Sequence, residues 1–570
     1  MGVEDGVQET EAASSSEPLN PQGKSLSYGS VPKHENVGIP AVCWYILIVE
    51  LCERLSFYTF AGSQAFFLEH LGFSLASAGG LNATMWTLCT CLAVVASWAA
   101  DVGLGRYNTI LAAGITYFSG AAVAAIAAWP GIESSWLYFV GVMGLLPIAT
   151  AGIKANISNF GADQYDPNDP GAAAAQERFF SIFYLSINVG AGVAYGFFTT
   201  FASSGGVGVP KAYGYFVAYA LMALCMALAV CVYRAGRHGY KVHPLQERSA
   251  LFSVAKALFD CARTGCWRAA FVCLGMWCLL GSIILSCCKA LAPASGSAMM
   301  WAAFACAGIG TLTVVLPCIN PSWLRAEGAE PTADQAEVQG FLRILPVLFT
   351  GNLAFGALYN SMQFWYQQQA CQMDVRMPFG NGFQLSGSFF NIADCFAIVI
   401  VTPIAVDWIN PGLERLLGGQ LRHGPKFGVG MLVAAASVAV AAKLEQVRRG
   451  SAVLPIFSNC APPGIGMSSI SGTWMMVPFF LMGVGEIYTQ PTLLHFAYAK
   501  SPSTMRTLAM AASFFISGVS SALFALLVSA LSNFIPNNLN DGHLEYGYWV
   551  NIAIGIVFYA IFMWVLRVTN

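Results

Sequence analysis

Charge is what this sequence has least of. Only 10% of its 570 residues are Asp, Glu, Lys or Arg, against about 25% in an ordinary water-soluble domain. Apolar residues make up 56% and mean hydropathy is +0.60, so the chain is not built to dissolve in water. A basic excess is also missing: the formal net charge is −2 and the pI is near 6.4, which argues against nucleic-acid binding. No G-x-x-x-x-G-K-[ST] phosphate loop occurs, since Gly419-Gln420-Leu421-Arg422-His423-Gly424 runs into Pro425, and this argues against an ATP-driven pump. No H-E-x-x-H occurs either, and histidines such as His70, His238, His243, His423 and His495 stand singly, so an enzyme is not expected. Seventeen cysteines sit mostly in apolar runs (Cys89, Cys91, Cys225, Cys231, Cys287, Cys288), where Cys acts as a small hydrophobe. They imply no disulfide framework and no zinc site, and no metal or other cofactor is expected.

What is present is a series of uncharged runs of about 20 residues, the length that crosses a hydrocarbon core of about 30 Å. Residues 1–40 precede them as a polar Ser-, Gly- and Pro-rich stretch without an apolar h-region, read as a disordered cytoplasmic tail with no cleaved signal peptide. Tyr28 to Val31 has the Y-x-x-Φ spacing of a sorting signal, a pattern too loose to carry weight. Apolar windows predict helices near 41–66, 77–100, 108–129, 136–158, 179–202, 213–233, 267–288, 297–318, 340–366, 385–409, 427–442, 473–495, 506–531 and 546–567, fourteen spans in all. With the tail inside, 19 of the 27 Lys and Arg fall in inside loops, 6 outside and 2 within helices, as the positive-inside rule asks. The loop 234–268 carries seven of them. The outside loop 443–472 runs against the trend with Lys443, Arg448 and Arg449.

Six spans, a basic connector and six further spans make the plan of two bundles that rock about a midplane site. The expected architecture is an all-α membrane protein: an N-terminal bundle over 41–233, a connector over 234–339, and a C-terminal bundle over 340–570. The surplus pair, 267–318, is read as an inserted hairpin that preserves the orientation of the second bundle. It offers no buried acid, and lipid-facing accessory packing is the expectation.

An ionisable group costs about 2.5–3.5 kcal/mol at the centre of an inserted helix, so each one is a functional candidate. Glu50, Glu53, Arg54 and Tyr58 share one stripe of the first span, and Glu50 can pair with Arg54 at i, i+4. One guanidinium cannot neutralise two carboxylates. One of them should bind a proton readily or seek a second cation, and Lys154, the only charge of the fourth span, is that cation. The alternative is an inert network that fixes helix register. Asp394 and Glu486 lie in later spans with no Lys or Arg at comparable depth. Such acids either stay protonated or await a cationic ligand such as an ammonium group. Tyr58, Trp86, Tyr184, Phe355, Tyr359, Trp365 and Tyr488 are candidates for lining a central cavity, or for packing.

Four stretches carry a resemblance. They are Glu50, Glu53 and Arg54 as E-x-x-E-R; Asp101 to Tyr107 as D-x-x-L-G-R; Gly152-Ile153-Lys154-Ala155-Asn156-Ile157-Ser158 with Phe160-Gly161-Ala162-Asp163-Gln164; and Phe183-Tyr184-Leu185-Ser186-Ile187-Asn188-Val189-Gly190. Gly485-Glu486 with Pro491 follows near the end. In this order the set resembles the proton-coupled oligopeptide transporter family of the major facilitator superfamily. The resemblance implies the major facilitator fold and proton-driven symport of di- and tripeptides by alternating access. It places proton coupling on Glu50, Glu53, Arg54 and Lys154. Substrate binding falls on Tyr58, Lys154, Tyr184, Asn188, Asn360, Asp394 and Glu486, with Glu486 meeting the peptide amino terminus and Asn188 its backbone.

Several positions depart from the family's pattern. Ala61 stands where members carry an arginine for the peptide carboxylate, which leaves Lys154 or Arg54 to anchor it. Asn360 stands in the seventh core helix where many bacterial members have an acid, and Ala155 replaces a proline, which predicts a straighter fourth helix. Two other functions remain open: a carrier of nitrate or another small anion on the same fold, and a receptor that binds peptide without moving it. The plasma membrane is expected over a vacuolar or endosomal one.

Overall fold

The computed structural model describes residues 39–166, 172–242, 244–245, 249–292, 296–324, 333–377, 382–417 and 422–569. The predicted disordered tail, apart from residues 39 and 40, and the Tyr28 pattern lie outside the described residues, as does the segment 167–171, where Asn168-Asp169-Pro170-Gly171 reads in sequence as a chain reversal.

Each predicted span is a helix. In chain order they are α1 (Ala41–His70), α2 (Leu75–Gly103), α3 (Arg106–Ala127), α4 (Ser135–Ala162), α5 (Arg178–Ser204) and α6 (Lys211–His238), then a short helix α7 (Ala250–Arg263) in the connector. The hairpin is α8 (Trp267–Leu291) and α9 (Ser297–Cys318). The last six are α10 (Asp334–Cys371), α11 (Gly387–Ile404), α12 (His423–Arg449), α13 (Met476–Lys500), α14 (Arg506–Ala530) and α15 (Leu544–Thr569). Among the described residues, twelve of these are long and apolar enough to cross a membrane. The two spans outside that set, α1 and α13, have 30 and 25 residues, and they carry Glu50, Glu53 and Arg54 and Glu486, respectively. Local sequence sets the starts: Ser74 caps α2 by accepting from the Ser77 N–H, and Ser134 caps α4 through the Leu137 N–H.

The two bundles meet where α2 packs on α14 and α5 on α11. Hydrogen bonds between them gather at the end remote from the tail. Gln368 Nε2 donates to Glu69 Oε1 (3.2 Å) and to the Leu75 carbonyl (3.1 Å), and the Leu75 N–H donates to Asn537 Oδ1 (2.9 Å). The Ser386 N–H donates to Thr200 Oγ1 (3.1 Å), and Ser388 Oγ donates to the Gly62 carbonyl. On the tail side, Arg106 joins Asp101 (3.7 Å) and Asp163 (2.5 Å), so the D-x-x-L-G-R and F-G-A-D-Q motifs form one ionic clasp. Gln164 then pins the connector through the backbone of Lys241.

Three expectations are corrected. Cys371 and Cys460 form a disulfide, 89 residues apart in sequence. Both lie beyond the apolar runs, one at the end of α10 and one in the loop before α13, a loop that also folds a small antiparallel pair, β1 (Val453–Phe457) and β2 (Gly466–Ser468). Next, α12 runs on to Arg449 rather than stopping near 442. The three cations of that loop are therefore helical, and two are in ion pairs: buried Arg448 joins Glu445 (2.8 Å) and donates to Asn540 (2.7 Å), Arg449 joins Glu545 (3.2 Å), and exposed Lys443 donates to Gln446 (3.0 Å). Finally, the hairpin is more than a lipid-facing appendage. Trp277 and Trp301 face outward, but α8 packs on both α2 and α14, and Ser286 Oγ donates to the Ala522 carbonyl (3.0 Å).

The two hairpin helices approach closely at Gly275 and Gly310, where a Cβ on Gly275 would sit 2.7 Å from Val314 and 2.9 Å from the Gly310 carbonyl. Gly275→Leu is therefore expected to overpack the hairpin at a cost of about 1–3 kcal/mol. Thermal unfolding in detergent checks this, and an unchanged Tm would show that the approach is not tight.

Candidate functional site

On α1, Glu50, Glu53 and Arg54 are all buried. Arg54 Nε lies 3.1 Å from Glu50 Oε1, and the same guanidinium touches Glu53. Glu50 Oε2 and Glu53 Oε1 have no hydrogen-bond partner among the described residues. The surplus of acid read from the spacing is thus present in three dimensions. The neighbouring α5 can reach this stripe because Gly190 is bare: a Cβ there would meet Arg54 Cβ at 3.0 Å and the Leu51 carbonyl at 3.1 Å. The last glycine of the F-Y-x-x-I-N-x-G motif is a packing requirement of the charged cluster.

Lys154 is half-buried on α4, within electrostatic reach of Arg54, Glu53 and Glu50, yet it makes no ion pair among the described residues. Its ammonium lies 5.0 Å from the centre of the Phe514 ring on α14, a cation–π contact that crosses between the bundles. The expected straight fourth helix is not found. Its hydrogen-bond ladder is interrupted at Ala155 and Asn156, directly after Lys154, and Asn156 Nδ2 donates to the Gly152 carbonyl (2.9 Å). Removing the proline did not restore the ladder, because the asparagine side chain competes for a backbone acceptor.

The second bundle contributes Asp394 on α11 and Glu486 on α13. A Cβ on Gly483 would lie 2.8 Å from Asp394 Oδ1, so this glycine lets the two helices close and brings the acids into mutual electrostatic reach. Asp394 Oδ1 and Glu486 Oε2 have no hydrogen-bond partner among the described residues. Glu486 is also within electrostatic reach of Lys154 and faces the Tyr359 hydroxyl. Tyr58 and Tyr184 lie within reach of the same two acids, from α1 and α5. These side chains face one another across the space between the bundles.

Two predicted residues are engaged differently. Asn360 is buried and shares hydrogen bonds with Ser520 and Ser521 of α14 (3.4 Å each). Asn188 donates to the carbonyl of Tyr184 one turn earlier (3.0 Å), which leaves its Oδ1 to accept. Of the candidate aromatics, Phe355, Trp365 and Tyr488 are core residues of the second bundle. Trp86 packs edge-on against Phe57. Sequence reading missed Tyr195 and Phe514. Tyr195 lies in a wide turn at Ala194–Phe198, its ring 5.4 Å from that of Tyr58, and its hydroxyl has no partner. A second wide turn, Ser361–Tyr366, follows Asn360, and such turns recur at functional sites.

Two bundles of six helices that bring these charged side chains together where they meet define a multi-pass membrane protein of the transporter fold. The sequence model of the POT family matches residues 107–541, and the chain belongs to that family. It is 24% identical over 594 residues to the Arabidopsis thaliana protein NRT1/ PTR FAMILY 8.1, covering 95% of this chain and 96% of that one. NRT1/ PTR FAMILY 5.14 from the same organism is also 24% identical, with 95% and 94% covered. Among solved structures, the POT family transporter PepTSo superposes with a TM-score of 0.72 at 21% identity, covering 93% of this chain and 98% of that one. A POT family transporter in complex with 5-aminolevulinic acid gives 0.64 at 16% identity, with 95% and 99% covered.

Arg54→Leu leaves two buried carboxylates without their cation and is expected to cost about 3–5 kcal/mol. Replacing Glu50 and Glu53 by Gln in the same chain should recover most of it. A single substitution without effect on thermal unfolding would show that the three do not act as a unit.

Proposed function

We propose that the protein is a proton-coupled symporter of di- and tripeptides that works by alternating access, in the plasma membrane. The observation that carries this reading is the placement of an ammonium, Lys154, and a carboxylate, Glu486, neither in an ion pair among the described residues, on helices of opposite bundles and within electrostatic reach of each other, with Glu486 Oε2 left without a hydrogen-bond partner there. A zwitterionic peptide has the two complementary groups. Lys154 takes its carboxylate, in place of the arginine missing at Ala61, and Glu486 takes its amino terminus. Asn188 and the Tyr58 and Tyr184 hydroxyls supply polar contacts along the backbone. Glu50, Glu53 and Arg54 handle the proton: the carboxylate left over from the pairing with Arg54 accepts it, and neutralising that carboxylate changes how strongly the cluster draws on Lys154.

The competing anion carrier draws on Lys154 alone and leaves Glu486 without a role. Glu486→Gln separates the two. A charge-assisted hydrogen bond is worth about 1.5–3 kcal/mol, so the substitution should weaken a free dipeptide by roughly tenfold to a hundredfold. An N-acetylated dipeptide should be indifferent. Equal losses for both peptides would assign Glu486 to structure or coupling, and proton-driven nitrate uptake that persists in the mutant would favour the anion carrier.

Coupling is tested in proteoliposomes. Glu53→Gln is expected to abolish accumulation against a gradient while peptide counterflow stays measurable. A mutant that still concentrates peptide at the wild-type rate would remove Glu53 from the coupling path. Binding without any transport in the wild type would make the protein a receptor.

A further inference from the structure

Resting on the peptide reading above, we infer that the preferred substrates carry a second cation near the amino terminus, as a peptide whose first residue is lysine or arginine does, and that Asp394 receives it. The argument starts from charge. The facing walls hold four acids, Glu50, Glu53, Asp394 and Glu486, against two cations, Arg54 and Lys154. A neutral zwitterion satisfies Lys154 and Glu486 and leaves Asp394 as it was. Asp394 is 7% exposed, makes no ion pair or hydrogen bond among the described residues, and its Oδ1 is buried and orphaned. A buried carboxylate without a partner is costly, and a substrate cation removes that cost.

A second observation points to the same place from the opposite wall. Tyr195 of α5 is 2% exposed, its hydroxyl has no hydrogen-bond partner among the described residues, and it lies within electrostatic reach of Asp394 and Glu486. Its ring packs with Tyr58 and with Cys395, the residue after Asp394. An aromatic surface beside a carboxylate is the arrangement that holds ammonium and guanidinium groups, by cation–π attraction and a charge-assisted hydrogen bond together. Gly483 fixes the spacing. Any side chain there would strike Asp394 Oδ1 or the Asp394 carbonyl, each 2.8 Å from the would-be Cβ, so the close packing of α11 on α13 keeps Asp394 one step from Glu486. An amino terminus on Glu486 then places the first side chain, rather than the second, beside Asp394.

The test is binding of Lys-Ala, Ala-Lys and Ala-Ala to the purified full-length protein, read as ratios. Lys-Ala is expected to bind about tenfold more tightly than Ala-Ala, and Ala-Lys no better than Ala-Ala. Asp394→Asn should collapse the Lys-Ala to Ala-Ala ratio to about one, whatever the absolute affinities. Tyr195→Phe keeps the ring and should leave the ratio above one, while Tyr195→Leu should lower it, so the inference stays testable if the Asp394 variant fails to fold. A wild-type ratio of one with Ala-Ala bound overturns this inference and spares the peptide reading. A ratio unchanged by Asp394→Asn overturns it as well. Failure of every dipeptide to bind overturns both.

Discussion

One guanidinium shared between two buried carboxylates is the constraint on which the rest of this structure depends. Arg54 reaches both Glu50 and Glu53, and a +1 group can cancel only one of them. Burial makes the leftover charge expensive, so the surrounding helices are arranged around it. Gly190 is bare so that α5 can seal the stripe. Lys154 is held nearby by a helix that breaks just after it. A buried ion pair is a poor source of stability compared with apolar packing, and a cluster with an odd charge is poorer still. The cost is intelligible if the charge state of the cluster has to change.

The helices and the acids were legible because their signals are local. An uncharged run of about 20 residues is sufficient evidence for a span, and offsets of three and four residues suffice to put Glu50, Glu53 and Arg54 together. What stayed hidden depends on partners distant in sequence. Cys371 and Cys460 gave no spacing signal across 89 residues. Tyr195 looked like any of 21 tyrosines until the fold set it beside Tyr58 and Cys395. Phe355 and Trp365 shared their spans with cavity residues but face the core, because a helix too apolar for a visible periodicity does not announce which side is which. Asn360 is read as a substrate ligand from its place in a motif, and its hydrogen bonds to Ser520 and Ser521, 160 and 161 residues away, carry no local signal.

Where the two bundles touch matters as much as what they hold. The hydrogen-bonded ties at the end remote from the tail are made by amides and hydroxyls, those of Gln368, Asn537, Thr200 and Ser388. Net hydrogen-bond energies of this kind are small one at a time, which suits a contact that has to be exchanged for water. The disulfide steadies the same end, since Cys460 lies beside Asn459, which donates to Ser203 (3.3 Å) in the first bundle. The hairpin touches both bundles at α2 and α14, so rocking there has to slide past it.

Charge and motion meet at Lys154. Its ammonium sits over Phe514, a residue of the opposite bundle, while its electrostatic partners include Glu53 on its own side and Glu486 across the gap. A cation–π contact is worth about 0.5–2 kcal/mol, comparable to the hydrogen bonds that close the remote end. Neutralising the surplus carboxylate on α1 weakens the hold of the first bundle on Lys154 and leaves Phe514, Glu486 and any bound carboxylate to compete for it. Under the proposed coupling, the cation that feels the charge of the α1 cluster is also one that touches the other bundle, so a change in the cluster's charge state would shift the balance between closed and open interfaces. Such a link would require no long chain of intermediates, because Lys154 takes part both in the electrostatics of the cluster and in the contact with Phe514.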